Sequence, residues 1–405
     1  MKLDYLIKRE NFKIIFNKTI INHFRNVHGL KSEILWGKKS TLIDENFLIN
    51  TRLNIIFPFN SDYKRLKKIT NEYSYNKNFL NRFLRHTYIF LSISKFTRRF
   101  MSQMHISIKN IPDELLGAFI IPGNHSIRIV NFNIGKCLVI KKYNFDSEKI
   151  TNLVNIRSNF DDIPGPKLLD YDLENCFYYE DIINGVPIDR MKQDSRNIHA
   201  LVLAKNTLNN IYLKSKETLF LLDWLAEKET EIKDKINKLS PIVEVKKKEI
   251  INRLSQILIK SLKEITDHNT KISVSLTHGD FQYGNILVPK NISHNLYLID
   301  WEYSKVRTQH YDFFVFLFRT RSPFGLSKRI KENLNKKSYI KKAASEFGLE
   351  LTTELRCFVS LYSFLLEEII FRIEDISIQE LNQIPVGFDV FMSELDNFLT
   401  EHLSL

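Results

Sequence analysis

A chain of 405 residues is long enough for two or three domains with a well-buried core, and its ordinary apolar content excludes wholesale disorder. Its three cysteines, Cys137, Cys176 and Cys357, form no CxxC pair and have no metal-like spacing to histidine, which argues against a disulfide scaffold and a zinc site and favours a reducing compartment. The net charge of +12 is lopsided: residues 1–110 hold 21 of the 59 Lys and Arg but only 7 of the 47 Asp and Glu, a balance of +14, so residues 111–405 stand at −2.

The basic N-terminal quarter suggests a polyanionic or membrane-surface partner for that part of the chain. Its first residues, MKLDYLIKRENF, carry acids where a signal peptide needs an apolar run. The best apolar run, YIFLSI at 88–93, is far too short to span a bilayer, so a cytoplasmic protein is expected. WGKKST (36–41) hints at a phosphate loop, but Ser32 stands where the first glycine belongs and no strand–helix context surrounds it. NKNFLNRFLRHTYIFLSISKFTRRF (76–100) puts Phe79, Leu80, Phe83, Leu84 and Tyr88 at helical spacing, interleaved with Arg82, Arg85, Lys95, Arg98 and Arg99. Two readings stand: an amphipathic helix lying on an anionic membrane, peripheral at its inner surface, or on a lipid-linked substrate; or a helix docked on the protein body with a solvated basic face. Nucleic-acid binding has no recognisable motif behind it.

From residue 117 the texture turns to strands. GAFIIPGNHSIRIVNF reads as two β-rich runs around a Pro-Gly-Asn turn, and GKCLVIKKY (135–143) as a third. DSEKITNLVNIRSNF (146–160) has a sound helix N-terminus and apolar residues at Ile150, Leu153, Val154 and Ile156. IPGPKLLDYD breaks that helix, and NCFYYEDIINGVPI supplies a further strand and turn. The order predicts a small antiparallel sheet carrying one helix.

Residues 194–270 read as mainly helical, with two long charged helices separated by Ser240-Pro241. After a β-rich interval, 311–405 returns to helices in which Phe316, Phe318, Phe358 and Phe364 are expected in the core.

That interval is THGDFQYGNILVPKNISHNLYLIDWE, residues 277–302. Acidic groups inside apolar segments are costly to bury unless something pairs with them. Asp280 precedes Asn285 by five residues, and Asp300 follows at the end of an apolar strand. Phosphoryl transfer needs positioning and charge neutralisation more than covalent chemistry. One carboxylate must sit near the attacking hydroxyl, while an amide oxygen and a second carboxylate suit Mg²⁺, a hard ion that takes oxygen ligands. The bland alternative is a hairpin whose polar residues cap turns.

With His278-Gly279-Asp280, Asn285 and Ile299-Asp300-Trp301-Glu302 in place, the sequence resembles the aminoglycoside phosphotransferase and choline kinase-like superfamily. The resemblance covers about 117 to 320. It implies an α+β, two-lobed protein-kinase-like fold: a basic N-terminal extension (1–110), an N-lobe of small antiparallel sheet plus helix (111–183), and a mainly helical C-lobe (184–405) with the catalytic loop at 277–302. It further implies that Asp280 is catalytic and that Asn285 and Asp300 hold Mg²⁺. His278, and Asp312 in HYDFF, are read as structural supports of the loop.

ATP needs its own residues upstream. Lys141 ends the third strand where the protein-kinase pattern places a phosphate-binding lysine, and Glu148 in the following helix is its expected partner. Lys142 adjoins it, and because a strand alternates faces only one of the two can point into a cleft; we take Lys141. The phosphate loop has a single glycine, Gly123, so Gly123, Asn124 and Ser126 are its candidate contacts. The backbone from Glu180 to Ile182 is expected to face adenine. The expectation is thus an ATP- and Mg²⁺-dependent kinase acting on a hydroxyl of a small molecule or a lipid-linked glycan. The rival is a non-catalytic pseudokinase using the same site as a scaffold.

Overall fold

The computed structural model describes residues 3–37, 45–70, 73, 78–160, 163–191, 195–289, 296–378 and 381–403. WGKKST beyond Gly37, the first two residues of the 76–100 segment, and 290–295 within the 277–302 run lie outside the described residues. The chain divides into two compact units: Met1–Asp161 with Gly165–Gln193 and Val288–Ser293, and Asp162–Pro164 with Asp194–Leu287 and His294–Leu405.

The first unit is built on a nine-stranded sheet. Its strands are β1 (Glu33–Trp36), β2 (Glu45–Asn50), β3 (Ile55–Pro58), β4 (Met104–Lys109), β5 (Phe119–Pro122), β6 (Ser126–Asn131), β7 (Lys136–Lys141), β8 (Leu168–Asp172) and β9 (Phe177–Asp181). They lie in the order β1-β4-β2-β3-β5-β6-β7-β9-β8, and each neighbouring pair is antiparallel. The strands expected from 117 to 143 are β5, β6 and β7. The sheet also takes in four strands from the basic N-terminal quarter and continues across residue 110 through the Ile56–Ile120 pairing of β3 with β5.

Side chains alternate across these strands, so each face carries its own helices. One face packs Phe16, Ile20 and Phe24 of α2 (Phe12–His28), with Leu3 and Leu6 of α1 (Leu3–Arg9), onto residues that include Ile120, Ile129 and Leu138. The opposite face sets Leu66 of α3 (Tyr63–Thr70) and Ile89 and Ile93 of α4 (Phe79–Ile93) against Leu48, Phe57 and Phe119. A short α5 (Arg98–Met101) follows α4, and α6 (Glu148–Asn159) is the helix expected at 146–160. A last short strand, β10, is Gly185–Pro187.

The second unit is mainly helical. The charged helices on either side of Ser240-Pro241 are α8 (Leu221–Asn237) and α9 (Val245–Ile265), following α7 (Ser195–Ser215). α9 buries Ile251, Leu254, Leu258 and Leu262, a spacing of three and four that turns one stripe inward. Between α9 and α10 (Tyr311–Phe318) run β12 (Lys271–Thr277), β13 (Ile286–Pro289), β14 (Tyr297–Leu298) and β15 (Lys305–Thr308). β12 is flanked by β15 and by β11 (Glu217–Phe220). The chain ends with α11 (Leu326–Leu334), α12 (Lys337–Ser345), α13 (Glu354–Ile376) and α14 (Val386–Leu403). Phe318 and Phe364 are fully buried as expected, whereas Phe316 and Phe358 are half-buried. Among the described residues no helix is long and apolar enough to cross a membrane.

Candidate active site

The loop that opens at His278 is shaped by one glycine and one buried carboxylate. Gly279 sits at φ +81, and a Cβ there would lie 2.1 Å from the Tyr303 carbonyl oxygen, so the chain turns tightly where only glycine fits. Asp312, fully buried at the start of α10, accepts from the His278 N–H (2.7 Å) and the Gly279 N–H (2.8 Å). The Tyr212 hydroxyl donates to the same carboxylate at 3.0 Å. Burial, with the Asp312 charge beside it, pushes the Tyr212 pKa well above its ordinary value, so it remains a neutral donor.

His278 joins two parts of the 277–302 run. Its Nδ1 accepts from the Asp280 N–H (3.3 Å), which requires the proton on Nε2, and Nε2 then donates to the Ile299 carbonyl (2.9 Å). The ring lies on Trp301 with centroids 4.5 Å apart, and the Trp301 Nε1–H donates to the Leu298 carbonyl. Both residues expected to brace the loop therefore touch its backbone or its apolar floor.

Asp280 emerges from this frame with its carboxylate only 13% exposed. The Asn285 amide nitrogen donates to Asp280 Oδ2 (2.9 Å) and to its carbonyl (2.8 Å). That commits the N–H₂ of Asn285 to Asp280 and turns its oxygen the other way. The Ile299 N–H donates to the Asn285 carbonyl, and Ile286–Leu298 and Leu287–Tyr297 pair in the β13–β14 hairpin. Asp300 follows directly in a left-handed conformation, φ 62 and ψ 49. A non-glycine residue rarely adopts that conformation without a local reason, and such residues cluster at working sites.

Three contacts of Asp280 have no counterpart in the sequence reading. Gln282 Nε2 donates to both carboxylate oxygens, at 3.1 and 3.0 Å. Arg321 Nε donates to Oδ1 at 2.8 Å, and Arg321 Nη2 to the Gly279 carbonyl at 2.5 Å. Arg321 Nη1 in turn meets Glu368 Oε1 of α13 at 2.5 Å, with the guanidinium over the Phe371 ring at 3.8 Å. Burial opposes the charge of Arg321, but Glu368, Tyr311 and Asp280 outweigh it and hold its pKa well above the ordinary value. Glu368 answers in kind: burial pushes it up, Arg321 and Arg372 pull harder, and the net shift is downward. A buried charge network of this sort stands only when its members are paired. The order Thr320-Arg321-Ser322 gives no sign of it; only the return of α13 onto the loop reveals it.

The nucleotide candidates lie in the first unit. The Gly123 N–H donates to the Ser126 carbonyl (2.8 Å), closing a tight turn between β5 and β6. The Asn124 carbonyl within that turn accepts from Arg9 Nη2 (2.9 Å) and from Lys142 Nζ (3.4 Å). Glu10, fully buried, bridges those two cations, at 2.6 Å to Arg9 and 2.5 Å to Lys142. Lys142 is thus the buried lysine of the pair, 1% exposed. Lys141 is half-buried on β7 and donates to the Phe145 carbonyl at 3.0 Å. Glu148 opens α6 with its N–H on Asp146 Oδ1. Glu180 lies on β9 opposite Cys137, and Ile182 just follows that strand.

Among the described residues no group of three His, Cys, Asp or Glu side chains has metal-holding geometry. A Mg²⁺ carried with a nucleotide makes a smaller demand, one or two protein oxygens completed by phosphate and water. Asn285 and Asp300 carry oxygen donors of the type such an ion takes, an amide oxygen and a carboxylate.

Residues 175–347 match the family model for choline/ethanolamine kinase. Comparison with curated protein sequences gave no match. Among solved structures, choline kinase LicA from Streptococcus pneumoniae is 16% identical, covering 70% of this chain and 91% of its own, with a TM-score of 0.44. Plasmodium vivax ethanolamine kinase is 13% identical, covering 84% and 94%, at 0.44. The aminoglycoside phosphotransferase APH(3'')-Id from Streptomyces rimosus is 16% identical, covering 63% and 93%, at 0.39. The family-model match takes in the loop at 277–302, so over residues 175–347 this chain is similar to the choline/ethanolamine kinases.

Proposed function

We propose that the protein is an ATP-dependent phosphotransferase that moves the γ-phosphoryl group of Mg-ATP to a hydroxyl of a small molecule or glycan. The observation that carries this reading is the arrangement around Asp280: a carboxylate presented on a braced loop, with Asn285 bonded to it and Asp300 following the strand paired to that loop. A hairpin with ordinary turn caps has no need for a fully buried aspartate holding two successive amides of the loop.

In this reading Asp280 accepts a hydrogen bond from the acceptor O–H and orients one oxygen lone pair toward the γ-phosphorus. As the new P–O bond forms and the bond to the ADP oxygen breaks, the hydroxyl proton passes to the Asp280 carboxylate. Asn285 and Asp300 hold Mg²⁺, which neutralises charge on the phosphates. Lys141 contacts the α- and β-phosphates and Glu148 positions it. Gly123, Asn124 and Ser126 carry the phosphate turn, and the backbone from Glu180 to Ile182 receives adenine.

The test is transfer from γ-labelled ATP over a panel of amino alcohols, sugars, aminoglycosides and lipid-linked glycans, with Asp280→Asn run beside the wild type. The reading expects product with the wild type, none with the variant, and nucleotide binding in both. Magnesium-dependent ATP binding with no product from any acceptor would favour the non-catalytic scaffold instead.

A further inference from the structure

The helix α4 presents its apolar stripe to solvent. Phe79, Leu80, Phe83, Leu84 and Phe90 share one side of the helix and are 73, 63, 60, 56 and 56% exposed. The side packed on the sheet is the opposite one, formed by Ile89, Ser92 and Ile93. The N-terminal half of the helix, residues 79–87, rests on little of the protein: Arg82 alone among them is even half-buried. A helix docked on the body by its apolar face would show the reverse pattern, with the phenylalanines inside and the basic residues out. Just beyond α4, Phe96 and Phe100 are 90 and 86% exposed.

Charge identifies what this surface fits. Residues 76–100 contain six Lys and Arg and no Asp or Glu; Arg98 is buried on the Phe59 and Ser61 carbonyls, and among the described residues Arg82, Arg85, Lys95 and Arg99 supply the positive charge of this surface. The Arg82 guanidinium lies over the ring of Phe79 and Arg85 is exposed on the side of α4 turned from the stripe, so cations border the apolar surface as in an interfacial helix whose cations meet headgroups while its apolar side enters the acyl boundary. A second copy of this chain would bring two segments that carry Lys and Arg but no acid together, which like-charge repulsion opposes. A bilayer needs no matching shape and supplies the missing negative charge.

We infer that α4, with the Phe96–Phe100 turn behind it, is a docking surface for an anionic lipid bilayer, with α4 lying in the plane of the interface. The surface shares no residue with those assigned to phosphoryl transfer, so it stands or falls independently of that reading.

The experiment is co-sedimentation of the full-length protein with vesicles of phosphatidylcholine alone or of phosphatidylcholine mixed with phosphatidylglycerol, at low and high salt. Two variants accompany it, Phe83→Ser/Leu84→Ser and Arg82→Glu/Arg85→Glu. The expected result is binding to the mixed vesicles only, weakened by salt and reduced roughly tenfold or more in either variant. Phe83, Leu84 and Arg85 are exposed and Arg82 is half-buried over the exposed Phe79 ring, so the thermal midpoints should stay close to the wild type; if the serine variant misfolds, the charge variant alone decides. Absence of binding to mixed vesicles by the wild type overturns the inference, as does binding that neither variant weakens. A concentration-dependent dimer that Phe83→Ser/Leu84→Ser disperses, without vesicle binding, overturns it in favour of a second copy on this face.

Discussion

Arg321 Nε lies 2.8 Å from Asp280 Oδ1, and the same guanidinium holds Gly279 and Glu368. The carboxylate assigned to the chemistry is therefore aimed from α13 as well as from its own loop. Arginine makes these contacts as a planar fork with several donors, which lysine cannot reproduce. Misplacement of a reacting group by about 1 Å can lower turnover by on the order of a hundredfold. Arg321→Lys should therefore reduce kcat by about that much while leaving the KM for ATP within a few-fold, as read by steady-state kinetics with any acceptor found. Equal losses in kcat and ATP affinity, together with a fallen unfolding midpoint, would mark Arg321 as structural only.

Glu10 makes a second prediction, for the first unit. It is fully buried between Arg9 and Lys142, and both cations also donate to the carbonyl of Asn124 in the Gly123–Ser126 turn. Glu10→Gln withdraws the negative charge from two buried cations, a change that costs about 3–5 kcal/mol when a buried pair is broken. Urea unfolding should show that loss. If the turn holds phosphate, ATP affinity measured by titration should fall as well, in a variant altered more than a hundred residues away in sequence.

Glu367 provides a pH test. Burial raises its pKa from 4.5 to about 7, against hydrogen bonds from Thr308 and the charges of Lys228 and Arg307. Its folded-state pKa is above the unfolded value, so the native state binds more protons between the two. The contribution is fully present below about pH 4.5 and is lost as pH rises through about 7. Glu367→Gln should therefore match the wild type in acid and gain stability relative to it above neutrality, by up to about 3 kcal/mol. Chemical denaturation at a series of pH values reads the difference; a constant offset across the range would contradict the account.

Much of the site was readable from local order. Asp280, Asn285 and Asp300 fall within one run, and the structure brings Asn285 onto Asp280 and bonds the residue before Asp300 to Asn285. Asp312 was readable as a support only through the resemblance of HYDFF to the family's pattern. The contacts that escaped are long-range pairs between single residues: Arg321 lies 41 positions from Asp280, and Glu10 lies 132 from Lys142. Nothing in periodicity or spacing marks such partners, because they meet only after the intervening elements have packed. The sheet was underestimated for another reason. EILW and IIFP are four-residue strands, too short for alternation to separate them from buried turns or helix ends. In α4 the periodicity was visible, but periodicity reports that a helix has an apolar side, not which way that side faces.

The central claim is that Asp280 serves phosphoryl transfer. The most direct measurement is single-turnover transfer from γ-labelled ATP to an acceptor found in the panel, comparing wild type with Asp280→Asn under saturating Mg-ATP. Asparagine keeps the shape and can still accept from Arg321, but it cannot take the acceptor proton. The account predicts transfer lowered by on the order of a thousandfold or more, from loss of both proton acceptance and orientation, with ATP affinity retained. Transfer at the wild-type rate by Asp280→Asn would contradict it.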